Sequence, residues 1–216
     1  MVDKINLDYN ALIYEIDELK KEINNLNNKI EYFNKSNSNL SKNFLKKEDI
    51  IKIDDPYYDE LRWDIYYEEM INELKNFKNI DSVLEIGPYK APFIENSDVI
   101  DRIDFSEYFP HKVNEVIVHD CTKLPYPIPD KKYDLVIASQ VLEHLGYEGE
   151  QVEIIKEIAR ISKKAIIGLP YKWYRPFDRS HHMIDERVFD DWQGEFDYIY
   201  QIKSDMTILR IYDFEK

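Results

Sequence analysis

The stretch Ser82-Val83-Leu84-Glu85-Ile86-Gly87 decides the fold of this chain, because a short apolar run there carries an acid and then ends in a glycine. Its aliphatic and β-branched residues predict a short buried strand. Gly87 lets the backbone turn tightly and come close to a ligand. Ligands of open parallel sheets bind beyond the carboxyl ends of the strands. Glu85 is therefore placed to meet a ligand that carries hydroxyl or amino groups.

Four more apolar runs predict four more strands, at residues 99–103, 115–119, 133–138 and 165–169. The first three are followed by polar residues, namely Asp104, then Asp120 and Cys121, then Ser139 and Gln140. Two alternating runs, 196–202 and 206–212, predict a closing hairpin. A helix is expected at 150–161, and a short one after Gly87 with Pro92 near its start. The pattern predicts an α/β fold, with a Rossmann-like, seven-stranded, mostly parallel sheet and a closing antiparallel hairpin.

A heptad repeat precedes this region and runs from residue 5 to residue 44. Its two series are Tyr9, Ile16, Ile23, Ile30, Asn37 and Phe44, and Ile5, Leu12, Leu19, Leu26, Phe33 and Leu40. Ile in one series with Leu in the other favours a parallel two-stranded coiled coil. We therefore predict an α-helical coiled-coil oligomerisation segment over residues 1–50, which makes the protein a homodimer, and a globular domain over residues 51–216. The alternative is an amphipathic helix that folds back onto its own domain.

Residues 55–77 predict one helix that starts near Pro56, because acids lie in the first turn and a lysine lies late in the run. The residues expected to face the sheet are Leu61, Ile65, Met70 with Ile71, and Leu74. The segment also holds five large aromatic residues: the roof of a ligand pocket is one use for some of them, and packing is the expected use of most.

The charge is strongly acidic, with 43 acidic against 29 basic residues among 216 and a net charge of -14. The first fifty residues are nearly balanced, so the globular domain carries the excess, which argues against nucleic acid as a partner. Cys121 is the single cysteine, so no internal disulfide can form. No run reaches the length needed to span a bilayer or to serve as a signal peptide. We expect a soluble, cytoplasmic protein.

The segments VLEIGP (83–88), IDFSEY (103–108), HDCTKLPYPIPDKKYDLVIASQVLEHL (119–145) and AIIGLP (165–170) together resemble the class I S-adenosylmethionine-dependent methyltransferases. The resemblance implies S-adenosylmethionine as cofactor, with Glu85 and Gly87 at its methionine end. Asp104 would accept hydrogen bonds from the ribose hydroxyls. Asp120 would accept from the adenine amino group, with the Cys121 backbone beside the ring. Ser139 and Gln140 would lie near the sulfonium.

The loop after Gly87 departs from the family pattern, since Pro88-Tyr89-Lys90-Ala91 lacks the further glycines that are frequent there. An EIGP loop followed by another proline resembles bacterial methyltransferases associated with surface-polysaccharide assembly. That likeness implies methyl transfer to a hydroxyl of a glycan or lipid-linked sugar. The alternatives are a non-catalytic coiled-coil assembly protein with a degenerate domain, and a methyltransferase of small molecules.

The acceptor is expected to meet residues 171–194, which hold paired charges, aromatic rings and two adjacent histidines. Oxygen methylation needs a base to remove the hydroxyl proton, and histidine has a suitable pKa. His181 or His182 is the predicted base, oriented by Asp178 or Asp185, and His144 is the rival. In a purely structural alternative, Asp185 caps a helix at 186–192 and the histidines only position the loop. A metal site of the two histidines and an aspartate is a further alternative, but we expect none.

Overall fold

The computed structural model describes residues 2–34, 43–145, 149–173 and 183–215, and of residues 2–10 and 34 only the backbone. The chain divides into two compact units, Met1–Asn37 and Ser38–Lys216. In the part of the chain that is described, no helix is long and apolar enough to cross a membrane.

The first unit is a single long helix, α1, at Val2–Asn34. The heptad residues described in its middle are exposed to solvent: Leu12, Ile16, Leu19, Ile23, Leu26 and Ile30. The predicted helix is thus present over this range, whereas its pairing in a coiled coil stays a prediction. The later heptad positions Asn37 and Leu40 lie outside the described residues.

The predicted boundary after residue 50 is too far along the chain. Phe44 forms an isolated antiparallel bridge with Ile94, and the Leu45 backbone N–H donates to the Phe93 carbonyl at 2.9 Å. A short helix, α2 at Lys47–Ile50, follows, and Ile50 is fully buried. Residues 43–50 therefore belong to the globular unit, and Phe44 matches the heptad spacing without being part of the helix.

The second unit is built on one seven-stranded sheet in the order β3-β2-β1-β4-β5-β7-β6. Its strands are β1 Val83–Ile86, β2 Asp98–Asp101, β3 Glu115–Val118, β4 Tyr133–Ser139, β5 Ser162–Pro170, β6 Tyr200–Lys203 and β7 Thr207–Asp213. Pairs among β1 to β5 are parallel, and β7 pairs antiparallel with both β5 and β6. The predicted Rossmann-like sheet with its antiparallel hairpin is confirmed.

A continuous helical segment at residues 60–74 packs on the sheet. It consists of α3 at Glu60–Arg62, a π-helical turn at Trp63–Tyr67 and α4 at Glu68–Leu74. The helix begins after Asp59, whose carboxylate accepts from the Arg62 backbone N–H at 2.7 Å, and not near Pro56 as predicted. Met70 and Leu74 are buried as expected, but Leu61 is 64% exposed. The extra residue of the π turn changes which side of the first turn faces the sheet.

Helix α5 at Glu150–Ile161 lies where it was predicted. Helix α6 at Glu186–Gln193 matches the helix of the purely structural alternative, one residue longer. The short helix predicted between β1 and β2 is absent, since the described residues 87–97 form turns, bends and the isolated bridge at Ile94. Pro88 and Pro92 lack the backbone N–H groups that a helix interior needs. The Glu95 N–H instead donates to the Asn43 carbonyl at 2.9 Å, so the segment before α2 holds this connection.

Hydrogen bonds join the described residues that lie on either side of the predicted acceptor segment after β5. The Lys172 backbone N–H donates to the Ile184 carbonyl at 2.8 Å. The Tyr171 hydroxyl donates to the Glu186 carboxylate at 2.8 Å, and Ile184 is fully buried. Both ends of residues 173–183 are therefore fixed to the sheet and to α6.

Candidate active site

A cavity of about 590 Å³ lies at the carboxyl ends of β1, β2, β3 and β4, where the strand order reverses on either side of β1. Such a point is where open parallel sheets bind ligands. Five groups of residues line the cavity: Tyr57, Tyr58, Arg62, Tyr66 and Tyr67; Gly87, Pro88, Tyr89 and Phe93; Asp101, Arg102, Ile103 and Phe105; Asp120, Cys121 and Thr122; Ser139, Gln140, Val141, His144 and Leu145. The ends of four strands, β1 to β4, and the helical segment before β1 thus share one site.

Gly87 forms the floor between β1 and β4. Its φ is 59°, and its N–H donates to the Ile100 carbonyl at 2.8 Å. A Cβ at this position would lie 2.9 Å from Val141 Cγ2. The site therefore requires glycine here, both for its left-handed backbone and for its space.

Tyr89 occupies the loop position where a second glycine would be expected, and it also has a positive φ, of 53°. Its hydroxyl donates to Asp55 Oδ2 at 2.8 Å, as does Lys90 Nζ, also at 2.8 Å. The Lys90 backbone N–H donates to the Tyr58 hydroxyl at 3.0 Å. Hydrogen bonds from Lys90 first, then from the Tyr57 backbone and Tyr89, lower the pKa of Asp55 to about 2. Side-chain contacts thus hold the loop in a conformation that glycines would adopt freely.

Glu85, predicted at the methionine end of the cofactor, does not line the cavity. It is 1% exposed, and its carboxylate accepts from the backbone N–H groups of Phe93 at 2.6 Å and Ile94 at 2.9 Å. The Ser97 hydroxyl donates to it at 2.8 Å. Glu85 therefore organises the β1–β2 connection in the absence of a helix there.

Asp101, not Asp104, lies in the cavity at the end of β2. Burial raises the pKa of Asp101, against hydrogen bonds from the backbone of Arg102, Ile103 and Tyr89 that lower it. Asp104 lies outside the cavity lining and accepts from the Ser106 N–H at 2.9 Å, with a pKa lowered by Ser106. The strand ends two residues earlier than the apolar run at 99–103 suggested, and the signal that was missed is the acid at position 101 inside that run.

Asp120 and Cys121 lie in the cavity, as expected from their place after β3. The Asp120 carboxylate accepts from the Thr122 N–H at 3.0 Å and from its hydroxyl at 2.8 Å, and these bonds lower its pKa. Burial raises the pKa of the Cys121 thiol to about 12, so the thiol is neutral. This corner of the cavity offers an ionised carboxylate beside an uncharged, buried sulfur.

Ser139 and Gln140 lie at the end of β4 and also line the cavity. Gln140 has a φ of 56°, and its N–H donates to the Gly168 carbonyl at 2.8 Å. Gln140 Nε2 is buried and has no hydrogen-bond partner among the described residues. Buried polar groups are rarely left unpaired, so this amide is suited to a ligand.

His144 and Glu143 form an adjacent pair in the 3-10 turn after β4, at Leu142–His144. The His144 side chain lines the cavity and is 47% exposed, with Nε2 3.7 Å from Glu143 Oε1. Glu143 is 1% exposed, and burial raises its pKa to about 8. Its Oε2 has no hydrogen-bond partner within the described parts of the chain. At neutral pH Glu143 is therefore mostly a neutral acid behind an accessible imidazole.

The cavity wall formed by residues 57–67 and by the loop after β1 is aromatic and includes one arginine. The Tyr58 and Tyr89 rings stack at 6.0 Å, and Tyr89 meets Phe105 edge to face at 4.6 Å. The Arg62 guanidinium lies 3.6 Å from the Tyr57 ring centroid. The sequence offered a pocket roof as a use for some of these rings and packing as the use of most, and the place of Arg62 among them was missed.

The acceptor residues predicted after β5 are only partly described. His181, His182 and Asp178 lie outside the described residues. Asp185 is the N-cap of α6 and accepts from the Val188 N–H at 2.9 Å. The capping role weighed for Asp185 is therefore present. The described residues include no group of three or more His, Cys, Asp and Glu side chains that could hold a metal ion.

The chemistry of the cavity fits a ligand that carries hydroxyl and amino groups, as a nucleoside does. Carboxylates accept hydrogen bonds from hydroxyl and amino groups, and Asp101 and Asp120 lie on adjacent strand ends. Gly87 leaves the floor open where a Cβ would fill it.

Comparison with known proteins agrees with this geometry. Residues 95–165 match the family model described as a methyltransferase domain. The match covers 71 of the 216 residues, from before β2 to the early part of β5. The enzyme class predicted from the sequence, an S-adenosylmethionine-dependent methyltransferase, and its cofactor are confirmed.

Solved structures share the fold at low sequence identity. An S-adenosylmethionine-dependent methyltransferase from Aquifex aeolicus has a TM-score of 0.53 at 15% identity, covering 78% of this chain and 98% of its own. The N-methyltransferase NodS from Bradyrhizobium japonicum, in complex with S-adenosyl-L-homocysteine, has a TM-score of 0.54 at 16% identity, covering 77% and 95%. A protein from Pyrococcus horikoshii has a TM-score of 0.55 at 18% identity, covering 75% and 93%. No curated protein sequence matches the chain.

Proposed function

We propose that this protein transfers a methyl group from S-adenosylmethionine to a hydroxyl group of a sugar-containing acceptor, such as a glycan or a lipid-linked sugar. The observation that carries the proposal is the single cavity that brings two carboxylates, Gly87 and a histidine to the ends of β1, β2, β3 and β4. A bound cofactor supplies an electrophilic methyl group on a sulfonium.

Asp101 and Asp120 are the residues we assign to the cofactor's hydroxyl and amino groups. Asp101 replaces the predicted Asp104 because it is the acid that faces the cavity. Ser139, Gln140 and the Cys121 backbone complete the cofactor side of the site. The buried amide of Gln140, which has no partner among the described residues, supports a ligand contact there.

A histidine is the base that we assign to the acceptor side. His144 lines the cavity, and its half-exposed imidazole is accessible to an acceptor hydroxyl. His181 and His182, with Asp178, remain candidates for the same role. In either case the imidazole accepts the hydroxyl proton as the oxygen attacks the methyl group, a contribution of roughly 10²–10⁴-fold in rate.

The aromatic wall supports a sugar as the acceptor. The cavity lining holds seven Tyr and Phe rings, and one of them, Tyr66, stacks on Trp173 in the chain after β5 at 5.9 Å. Sugar rings pack their C–H faces on such rings, while their hydroxyls need polar partners. Surface-polysaccharide assembly is the setting we propose for this acceptor, and a cytoplasmic location is part of the same hypothesis.

We further propose that α1 pairs with a second copy of the chain as a parallel coiled coil. The support is its stripe of exposed Ile and Leu residues at heptad spacing. The same stripe also favours the competing function, in which the protein is a non-catalytic coiled-coil assembly protein.

The decisive experiment supplies methyl-labelled S-adenosylmethionine with a panel of sugars and lipid-linked oligosaccharides. We expect label in an ether-linked methyl group and release of S-adenosylhomocysteine. His144→Gln and the double variant His181→Gln/His182→Gln should both be compared with the parent. The base should be the histidine whose replacement keeps cofactor affinity and lowers turnover by roughly 10²–10⁴-fold. Tight cofactor binding without methyl transfer to any acceptor would support the assembly function instead.

A further inference from the structure

Arg62 is the last residue of α3 and points its guanidinium into the cavity wall. It lies 3.6 Å from the Tyr57 ring centroid and 4.9 Å from that of Tyr66. One of its amino groups donates to the Tyr57 hydroxyl at 2.7 Å. The two rings restrict the side chain, so its remaining N–H donors are held in a fixed direction.

No carboxylate of the described residues lies within ion-pair distance of Arg62, although the chain has 14 more acidic than basic residues. Other partly or fully buried arginines are paired: Arg160 with Glu157 and Asp130, and Arg210 with Asp190. Arg102, the other arginine in the cavity lining, lies near Asp101 and Asp120 and lowers the pKa of both carboxyls. For Arg62, which lines the cavity of an acidic protein, a carboxylate partner would be the ordinary case. Its lack of a pair within the described structure therefore needs a reason.

Glu143 is the buried carboxyl that Arg62 influences, since Arg62 lowers its pKa. The effect is small beside burial, which raises that pKa to about 8. Glu143 is consequently mostly uncharged at pH 7 and does not neutralise the guanidinium. The cavity keeps a positive charge between its aromatic wall and the end of β4.

We infer that Arg62 is the anion-binding residue of this cavity and that it pairs with a carboxylate or phosphate group of a bound ligand. The planar guanidinium matches both groups through two parallel N–H bonds. The inference rests on the proposed function for its setting. Two sources share the required chemistry: the carboxylate at the amino-acid end of the cofactor, and an acidic group on the acceptor.

The test measures ligand binding to the full-length chain by calorimetry. Arg62→Gln is the main variant, and Arg62→Lys keeps the positive charge but loses the planar guanidinium with its paired N–H donors. Arg187→Gln is the matched control, because Arg187 is exposed on α6 and does not line the cavity. The probes are S-adenosylhomocysteine, its decarboxylated analogue, and inorganic phosphate with the cofactor product already bound. A thermal melt confirms that each variant is folded.

A roughly ten- to hundredfold loss of S-adenosylhomocysteine affinity in Arg62→Gln, with the decarboxylated analogue bound equally by parent and variant, would assign the cofactor carboxylate. Unchanged cofactor affinity with loss of phosphate binding would assign an acidic acceptor. In both cases Arg62→Lys should fall between parent and Arg62→Gln, and Arg187→Gln should match the parent.

Equal affinities of parent and Arg62→Gln for all three probes would overturn the inference. If the parent fails to bind S-adenosylhomocysteine, the proposed function fails first. In that case, phosphate binding without the cofactor tests the inference about Arg62. Phosphate binding by the parent that is lost in Arg62→Gln supports the inference, and absence of phosphate binding by the parent rejects it.

Discussion

The Tyr89 hydroxyl donates a 2.8 Å hydrogen bond to Asp55 Oδ2, and this contact joins the loop after β1 to the segment that leads into α3. Tyr89 also has a φ of 53°, a left-handed conformation that non-glycine residues adopt at a cost of about 1–2 kcal/mol. The missing glycine of the family loop is thus replaced by a residue whose side chain holds the strained backbone. The unusual loop sequence is compatible with a formed ligand site.

Asp55→Ala should therefore weaken cofactor binding without disturbing the sheet, because both Tyr89 and Lys90 lose their shared acceptor. Calorimetry with S-adenosylhomocysteine measures the loss, and Asp54→Ala serves as the control because Asp54 is exposed. The pKa of Asp55 is lowered to about 2, so the contact should persist in mild acid and be lost only as the pH falls through that value. Unaltered affinity for S-adenosylhomocysteine in Asp55→Ala would mean that the loop after β1 keeps its conformation without these contacts.

Asp101→Asn should reduce affinity for S-adenosylhomocysteine by at least roughly tenfold, since hydrogen bonds to a charged group contribute about 1.5–3 kcal/mol each. Asp104→Asn is the matched control, three residues away and outside the cavity lining. The two variants test the corrected assignment directly. A larger loss in Asp104→Asn than in Asp101→Asn would restore the assignment made from the sequence.

Gly87→Ala should destabilise the domain and abolish cofactor binding. The left-handed φ of 59° alone costs about 1–2 kcal/mol for a residue with a Cβ, and Val141 Cγ2 would lie 2.9 Å from it. Gly149→Ala separates the two effects, because Gly149 also has a positive φ, of 92°, but nothing lies within 4 Å of an added Cβ. Denaturant unfolding of both variants measures the difference, and equal losses would argue against the contact with Val141.

Glu143→Gln should change the pH dependence of stability. The folded pKa of about 8 lies above the usual value of 4.5, so the protein favours the protonated carboxyl. Its contribution to the free energy of unfolding is full below pH 4.5 and is lost as the pH rises through 8. A tenfold difference in proton affinity between the folded and unfolded chain corresponds to about 1.4 kcal/mol. Relative to the parent, the Gln variant should therefore be more stable at pH 8.5 than at pH 5.

Thermal melts at the two pH values test this expectation, with the exposed Asp191→Asn as control. A parent and a Gln variant that lose stability in parallel would show that Glu143 is ionised in the folded protein. Its burial would then need a charged partner.

Leu19→Glu with Ile23→Glu should convert a dimer into a monomer, because both residues are exposed on α1 at heptad positions. Asn24→Glu with Asn27→Glu adds the same charge to exposed polar positions and should leave the dimer intact. Light scattering on the full chain gives the mass of each. A parent protein that is monomeric at micromolar concentration would reject the coiled coil.

The sheet was predictable because each strand is a short apolar run with clear boundaries. Helix α5 was predicted at its observed bounds, Glu150–Ile161, since one apolar face repeats along it. The conformation of the β1–β2 connection was not predictable. It depends on the hydrogen bonds that Glu85 accepts from the backbone of Phe93 and Ile94, and no local sequence pattern reveals these contacts.

The site was predictable to the level of which strand ends meet, and less so for individual residues. Asp104 was chosen because the apolar run ends there, whereas hydrogen bonding ends β2 at Asp101. Leu61 was misplaced because a π turn interrupts the ordinary helical period. Arg62 and Glu143 were missed since their importance comes from burial and from neighbours distant in sequence.

The hydrogen bond from the Lys172 N–H to the Ile184 carbonyl has an evolutionary consequence. Because the two ends of the intervening segment are already joined, its length can change with little thermodynamic effect: each doubling of a loop costs only about 0.6 kcal/mol. The segment can therefore be exchanged between relatives as a cassette, while Tyr171 and Glu186 keep their contact at its base. Homologues with the same sheet and the same cofactor residues could in this way diverge in acceptor by insertion and deletion between these two anchors.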